Sequence, residues 1–228
     1  MRYLGGKIKI GKRIGDVLNA IPCTLYIEPF CGSCGVSQHI THPYKILSDY
    51  NAYLITMWRA LQLGWQPPDR IDEDTYQRYK NSPVVEDPLT AFIAFGCSFA
   101  GKWFGGYARS GSRNYAQNAR NSLLKRINKL KNATFISLNY VEWSFTKGAL
   151  IYCDPPYRNT TQYDAVDSFD FDLFWDLMRL WSQQNTVIIS EYTAPKDFKC
   201  IAQYPTRTDM HTTNKEDNAR IECLYVLE

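Results

Sequence analysis

Leu25-Tyr26-Ile27-Glu28-Pro29-Phe30-Cys31-Gly32-Ser33-Cys34-Gly35 is the stretch that decides the fold. Three apolar residues of strand character run into an acid, then into a loop with glycines that leads toward a helix near Val36. Strand, glycine loop and helix in that order open a βα unit. The rhythm recurs in Lys45-Ile46-Leu47-Ser48-Asp49, a second short strand ending in an acid, followed by helical spacing over residues 52–63. Glu28 and Asp49 therefore fall at the ends of successive strands. In an open α/β sheet, ligands bind at the carboxyl ends of the strands.

Glycines after a strand let a backbone approach a ligand closely, and nearby acids hold a cationic amine or ribose hydroxyls. The loop is neither the dinucleotide pattern G-x-G-x-x-G nor a phosphate loop, since no G-K-[ST] follows. A nucleotide-like ligand without phosphates, carrying a ribose and a positive amine, fits better, and S-adenosyl-L-methionine is such a ligand. Standing alone, the loop reads as a plain strand–turn–helix connection.

Working outward, Leu4-Gly5-Gly6-Lys7 forms a turn before a helix over residues 8–20. The middle, residues 64–133, breaks the alternation. It holds Pro67-Pro68, the acids Asp72, Glu73 and Asp74, and a helix over residues 88–95. The run Gly101-Lys102-Trp103-Phe104-Gly105-Gly106-Tyr107-Ala108-Arg109-Ser110-Gly111-Ser112-Arg113 follows. A basic helix over residues 118–131 closes the section, with Leu123, Leu124, Ile127 and Leu130 as its apolar stripe. Strands resume over residues 134–138, 148–153, 186–190 and 221–227, with Asp170 capping a helix to residue 183. The expected architecture is α/β, a Rossmann-like sheet built from residues 1–63 and 134–228, with a mainly helical module, residues 64–133, inserted into it.

A chain of 228 residues buries one substantial core, and 45% apolar and 14% aromatic residues are those of a folded globular protein. Formal net charge is only +3, but its distribution is uneven. Residues 88–141 contain no Asp or Glu, while Lys102, Arg109, Arg113, Arg120, Lys125, Arg126, Lys129 and Lys131 lie inside that window. Such a segment favours a polyanion, and nucleic acid is the obvious one. A solvated helix face balanced by acids elsewhere is the competing reading. Seven scattered cysteines suit free thiols in a reducing cytoplasm, and Cys31-x-x-Cys34 has no second pair or nearby His to complete a zinc site. The opening residues do not read as a signal peptide, and nothing approaches a membrane span.

Cys153-Asp154-Pro155-Pro156-Tyr157 follows the apolar run Ala149-Leu150-Ile151-Tyr152. Asp154 and the Pro155 carbonyl can each accept one hydrogen of an exocyclic NH2 group, proline holds that carbonyl still, and Tyr157 offers a face for stacking. An aromatic amine is a poor nucleophile because its lone pair is delocalised. Two acceptors aimed at its hydrogens favour the pyramidal geometry that frees the pair, a form of electrostatic preorganisation. Taken alone, Asp-Pro-Pro after a strand is equally a turn.

D-P-P-Y resembles the catalytic motif of amino-methyltransferases acting on DNA bases. Y-x-G-G-K at Tyr3 to Lys7, then [VI]-E-P-F-x-G-x-x-G at Ile27 to Gly35, then D-P-P-Y at Asp154 to Tyr157 occur in that order. The arrangement resembles the Dam-type (class alpha, D12) DNA adenine N6-methyltransferases, in which the recognition insert precedes the catalytic motif. The resemblance implies that Asp154, Pro155, Pro156 and Tyr157 are catalytic. It also implies that Tyr3, Gly6, Lys7, Glu28, Pro29, Phe30, Gly32, Gly35, Asp49, Tyr140 and Asp154 contact S-adenosyl-L-methionine, leaving S-adenosyl-L-homocysteine as product. Asp49 would hold the donor's ribose and Tyr140 would line its adenine pocket. Cys31 and Cys34 depart from the small residues usual in this loop.

Methylation of adenine N6 requires the nucleotide to leave the stack. Lys102, Tyr107, Arg109, Arg113 and Arg120 are then candidates to contact double-stranded DNA, with Arg109 or Arg113 reading a guanine. Trp103, Phe104 and Tyr107 either brace the opened duplex or form a small core of the insertion. The implied enzyme is a site-specific adenine methyltransferase, a monomer or weak dimer on DNA, cytoplasmic in a bacterial or phage-infected cell, with GATC as a first site to test. Cytosine N4, an RNA adenine, or DNA binding without catalysis are the alternatives. No metal is expected: His39, His42 and His211 form no ligand set, and the acids Asp164, Asp167, Asp170, Asp172 and Asp176 read as a loop and a helix's solvent face.

Overall fold

The computed structural model describes residues 1–145, 147–157, 169–207 and 219–228. Five parallel strands form its centre: β1 (Leu25–Glu28), β2 (Tyr44–Asp49), β3 (Ala133–Ser137), β4 (Leu150–Cys153) and β5 (Thr186–Glu191). β6 (Phe198–Arg207) and β7 (Ala219–Leu227) complete a seven-stranded sheet of order β3-β2-β1-β4-β5-β7-β6, with β7 antiparallel to both neighbours. The order reverses between β1 and β4. In Rossmann-like sheets, ligands bind at such a switch point, outside the carboxyl ends of the strands.

Strand alternation explains the layering. Tyr26, Leu150, Tyr152 and Ile188 face one buried cluster, while Ile27, Ile151, Cys153, Val187 and Ile189 face the other. The second cluster is closed by α6 (Phe171–Ser182), whose Phe174, Trp175, Met178 and Trp181 share one face. Asp170 caps this helix, accepting from the Asp172 and Leu173 amides. The first cluster joins α1 (Gly11–Asn19) and α2 (Ala52–Gln62) to the middle of the chain. That middle contributes α3 (Glu73–Asn81), α4 (Pro88–Ala91) with a π-helical turn Phe92–Gly96, and α5 (Tyr115–Ile127). Trp58, Tyr76, Phe92, Leu123 and Phe135 are all buried in it. Gly96 lets the π-helical turn pack tightly on α5, since a Cβ there would meet the Ala119 methyl at 2.9 Å.

Several expectations shift. The first helix starts at Gly11 rather than residue 8, because residues 5–10 fold against the loop after β1 and the Gly11 amide caps back on the Lys7 carbonyl at 2.5 Å. No full helix follows Gly35; only a 3-10 turn, Ser37–His39, fits before β2. The basic helix begins at Tyr115, where Asn114 caps it by accepting from the Gln117 amide. α3 is a helix the apolar pattern does not reveal, since only Tyr76 is buried. Its signature is electrical: Asp72 as cap, Glu73 and Asp74 in the first turn, Arg78 and Lys80 in the last. β6 is likewise unexpected. It is an edge strand carrying Lys199, Gln203 and Pro205, and edges tolerate both polarity and proline. Asp164, Asp167 and His211 lie outside the described residues. Among the described residues no group of His, Cys, Asp and Glu could hold a metal, no helix is long and apolar enough to cross a membrane, and all seven cysteines are free thiols.

Candidate active site

The loop after β1 is held by four hydrogen bonds from three elements, β2, α2 and α5. The Cys31 amide donates to the Ser48 carbonyl at 2.9 Å, and the Gly32 amide to Asp49 Oδ2 at 2.8 Å. Trp58 Nε1 donates to the Gly32 carbonyl at 3.0 Å, and the buried guanidinium of Arg126 donates to the Ser33 carbonyl. Each such bond contributes roughly 1 kcal/mol, so together they fix a loop in which Gly32 and Cys34 have positive φ of 43° and 54°. At Gly32 a Cβ would lie 2.9 Å from the Tyr3 ring. The amino-terminal turn rests on the same loop, because a Cβ at Gly35 would meet the Lys7 amide at 3.1 Å.

Glu28 is buried beneath this loop. Its Oε2 accepts from Tyr26 Oη at 2.8 Å and from Ser37 Oγ at 2.6 Å. Burial pushes its carboxyl up to about 8, with the two hydroxyls pulling the other way. Asp49, at the tip of β2, also accepts from the Asn51 amide at 2.9 Å. Desolvation raises it to about 6 against the opposing pull of the Asn51 and Gly32 amides. Phe30 and Tyr140 pack at 5.2 Å, and Phe169 closes the group at 6.2 Å from Phe30 and 5.5 Å from Tyr140. Pro29 is buried in the same turn.

Across the switch point, β4 delivers Asp154. Its Oδ1 accepts from Lys7 Nζ at 2.7 Å, and the Tyr157 hydroxyl oxygen lies 3.0 Å from the same atom. Lys7 Nζ also lies 3.6 Å from Glu222 Oε1 and 4.5 Å above the Tyr157 ring. The Tyr157 hydroxyl donates to Glu222, and Tyr192 stands perpendicular to the Tyr157 ring at 4.7 Å. Burial disfavours the Lys7 ammonium, but Asp154 and Glu222 outweigh it and hold its pKa above the usual value. Burial raises Tyr157 and Glu222, the latter opposed by Lys7. Pro155 is buried and Pro156 half-buried.

The three quoted motifs thus meet beside the switch point: Tyr3 lies against Gly32, Lys7 against Gly35, and the Lys7 ammonium on Asp154. Glu28, Pro29, Phe30, Asp49 and Tyr140 sit around the same loop, and Gly6 lies against Ser33. Lys7 is turned onto Asp154, and Tyr157 is only 7% exposed, with an ammonium over its ring rather than an open face. The basic residues divide. Arg113 is exposed, and Lys102 is half-buried. Arg109 is exposed but pairs with Glu73. Arg120 Nε donates to the Pro67 carbonyl at 2.9 Å, and Tyr107 Oη to the Ile71 carbonyl at 2.6 Å. Trp103 and Phe104 pack into the aromatic core with Phe95 and Tyr76. Arg126 is withdrawn from the charged surface altogether.

Trp58, Arg126 and Glu222 were not marked by any motif. Glu222 has a readable signal: it shares a strand face with buried Leu224, and an acid in phase with core residues is uncommon.

Residues 3–83 match the sequence profile of the D12 class N6 adenine-specific DNA methyltransferases. The chain is 26% identical over 193 residues to modification methylase StsI of Streptococcus sanguinis, an alignment covering 71% of this chain and 29% of that protein. It is 25% identical over 197 residues to the retron Ec67 DNA adenine methylase of Escherichia coli, covering 75% and 68% respectively. A solved rRNA methyltransferase, aviRa from Streptomyces viridochromogenes, superposes over 96% of this chain and 84% of its own at a TM-score of 0.42 and 11% identity. The chain spans less than a third of StsI and about two thirds of the retron methylase. The resemblance carried by the first two motifs is therefore matched by this profile over residues 3–83.

Proposed function

We propose that this chain transfers a methyl group from S-adenosyl-L-methionine to N6 of an adenine rotated out of double-stranded DNA. The observation that carries the reading is Lys7 Nζ on Asp154 Oδ1 at 2.7 Å. A nitrogen donor already sits on the D-P-P-Y acid, at the switch point beside the glycine loop. The target's exocyclic amine is a donor of the same kind.

The residues fit the methyl donor. Gly32 brings the loop backbone under the Tyr3 ring with a positive φ, Ser33 Oγ is buried without a hydrogen-bond partner, and Asp49 offers a carboxylate beside them. Asp49 would accept from the ribose hydroxyls, the Gly32–Gly35 backbone with Tyr3, Gly6 and Lys7 would bed the amino-acid portion, and Phe30, Pro29 and Tyr140 would flank the base. Glu28 holds the loop from below. The donor supplies an electrophilic methyl on a sulfonium.

Asp154 and the Pro155 carbonyl each accept one N6 hydrogen and orient the nitrogen lone pair toward that carbon. The new N–C bond forms as the S–C bond breaks, sulfur keeps the electron pair, and one N6 proton leaves to water. Tyr157 contributes its ring to the wall beside Asp154. Acceleration comes from orientation and preorganised acceptors rather than a strong base. Residues 64–133 supply the DNA-facing surface in this proposal, with exposed Arg113 and half-buried Lys102 as its cations and Arg109 joining them once released from Glu73.

Incubation with labelled donor and duplex DNA, followed by nucleoside digestion, tests the reading. Label in N6-methyladenine is the expected result. Label in N4-methylcytosine would redirect it, and donor binding without transfer would overturn it.

A further inference from the structure

We propose that Glu222 is a positioning residue, the second berth to which the Lys7 ammonium moves when the target amine takes Asp154; this rests on the methyl-transfer reading above. Lys7 and the N6 amine compete for the same oxygen, since Lys7 Nζ lies 2.7 Å from Asp154 Oδ1. The displaced ammonium is only 9% exposed and cannot be left buried without an anion. Glu222 Oε1 is 3.6 Å away, so a shift of about 1 Å brings it to charge-assisted hydrogen-bond distance.

Glu222 is built for this and for little else. It is 3% exposed on β7, between two other strands, where a carboxylate is costly unless paired. It accepts from the Tyr157 hydroxyl and is also bonded by Ser190. Tyr157 bridges the two acids, with its hydroxyl 3.0 Å from Asp154 Oδ1. One lysine thus serves two carboxylates across one phenol. When Lys7 crosses to Glu222, Asp154 is free to accept N6, with no charge sent to solvent.

A double-mutant cycle with Glu222→Gln and Lys7→Gln, timed as single-turnover methyl transfer at saturating donor, tests the role. Glu222→Gln strands Lys7 on Asp154, so the rate should fall about tenfold or more while donor Kd stays within about twofold. In the Lys7→Gln background, which has no ammonium to move, the same change should cost less than about twofold. An equal loss in both backgrounds, or a single-variant rate within twofold of the intact protein, overturns the role. Should Glu222→Gln fail to fold, or the Lys7 background prove too slow to time, Glu222→Asp carries the test. It keeps the charge but withdraws it, so it must slow transfer at unchanged donor Kd, and full activity overturns the proposal. An intact chain that methylates no DNA overturns both this role and the function beneath it; an active one with uncoupled variants overturns Glu222 alone.

Discussion

Donor affinity should be controlled between pH 5 and 7 by one carboxylate, Asp49. Desolvation raises its pKa to about 6 despite the Gly32 and Asn51 amides. Only the ionised form accepts fully from ribose hydroxyls, so apparent affinity scales with the ionised fraction. That fraction is about one in eleven at pH 5, about one half at pH 6, and about nine in ten at pH 7. Donor Kd should therefore fall about tenfold from pH 5 to pH 7, close to 1.4 kcal/mol, with most of the change below pH 6.5. Glu28, pushed up to about 8, stays largely protonated across this window and adds little to it. The same shift acts oppositely on the protein without donor. An acid whose folded pKa is raised from 3.8 to about 6 contributes stability below the lower value that is lost as pH rises through the upper one. Isothermal titration of S-adenosyl-L-methionine at constant ionic strength reads the affinity directly. Asp49→Asn should flatten the profile and weaken binding at pH 7 by about tenfold, the worth of a charged hydrogen bond. A Kd constant within twofold from pH 5 to 7, or an unchanged slope in Asp49→Asn, would refute the assignment.

Glu28→Gln should raise the melting temperature at pH 8 relative to the intact chain and leave it nearly unchanged at pH 5. The raised pKa means that ionising Glu28 costs stability as pH climbs from about 4.5 to about 8, and Gln removes that cost while accepting from Tyr26 and Ser37. Differential scanning fluorimetry checks this, and a pH-independent difference would argue against a buried, protonated Glu28. For DNA, Arg113→Ala should reduce the salt slope of duplex affinity by about 1 with little change in melting temperature, since its side chain is exposed. Arg120→Ala should do the reverse, losing the bond to the Pro67 carbonyl and lowering stability by about 1 kcal/mol. Equal salt slopes for the two variants would contradict the division.

The sheet was legible because its strands are short apolar runs ending at acids or glycines, and that pattern is local. Leu25–Glu28, Tyr44–Asp49 and Leu150–Cys153 fall where periodicity puts them. What escaped was decided by tertiary partners. α3 buries only Tyr76 and carries no stripe, and β6 exists because β7 offers it an antiparallel edge. In the site, each motif was readable by itself, but the bond from Lys7 to Asp154 spans 147 positions and no spacing rule reaches that far. Arg126 shows the converse error. Counted among the basic residues of the middle segment, it is 3% exposed and holds the Ser33 carbonyl, so charge in a window overstated charge at the surface.

The most direct measurement is long-read sequencing of DNA from cells expressing either the intact chain or Asp154→Ala, in a host free of its own adenine methylation. N6-methyladenine in one recurrent sequence context with the intact chain, and none with the variant, is the predicted result. Modified cytosine, unmodified DNA with the intact chain, or equal adenine methylation from Asp154→Ala would contradict the role of the β4 tip.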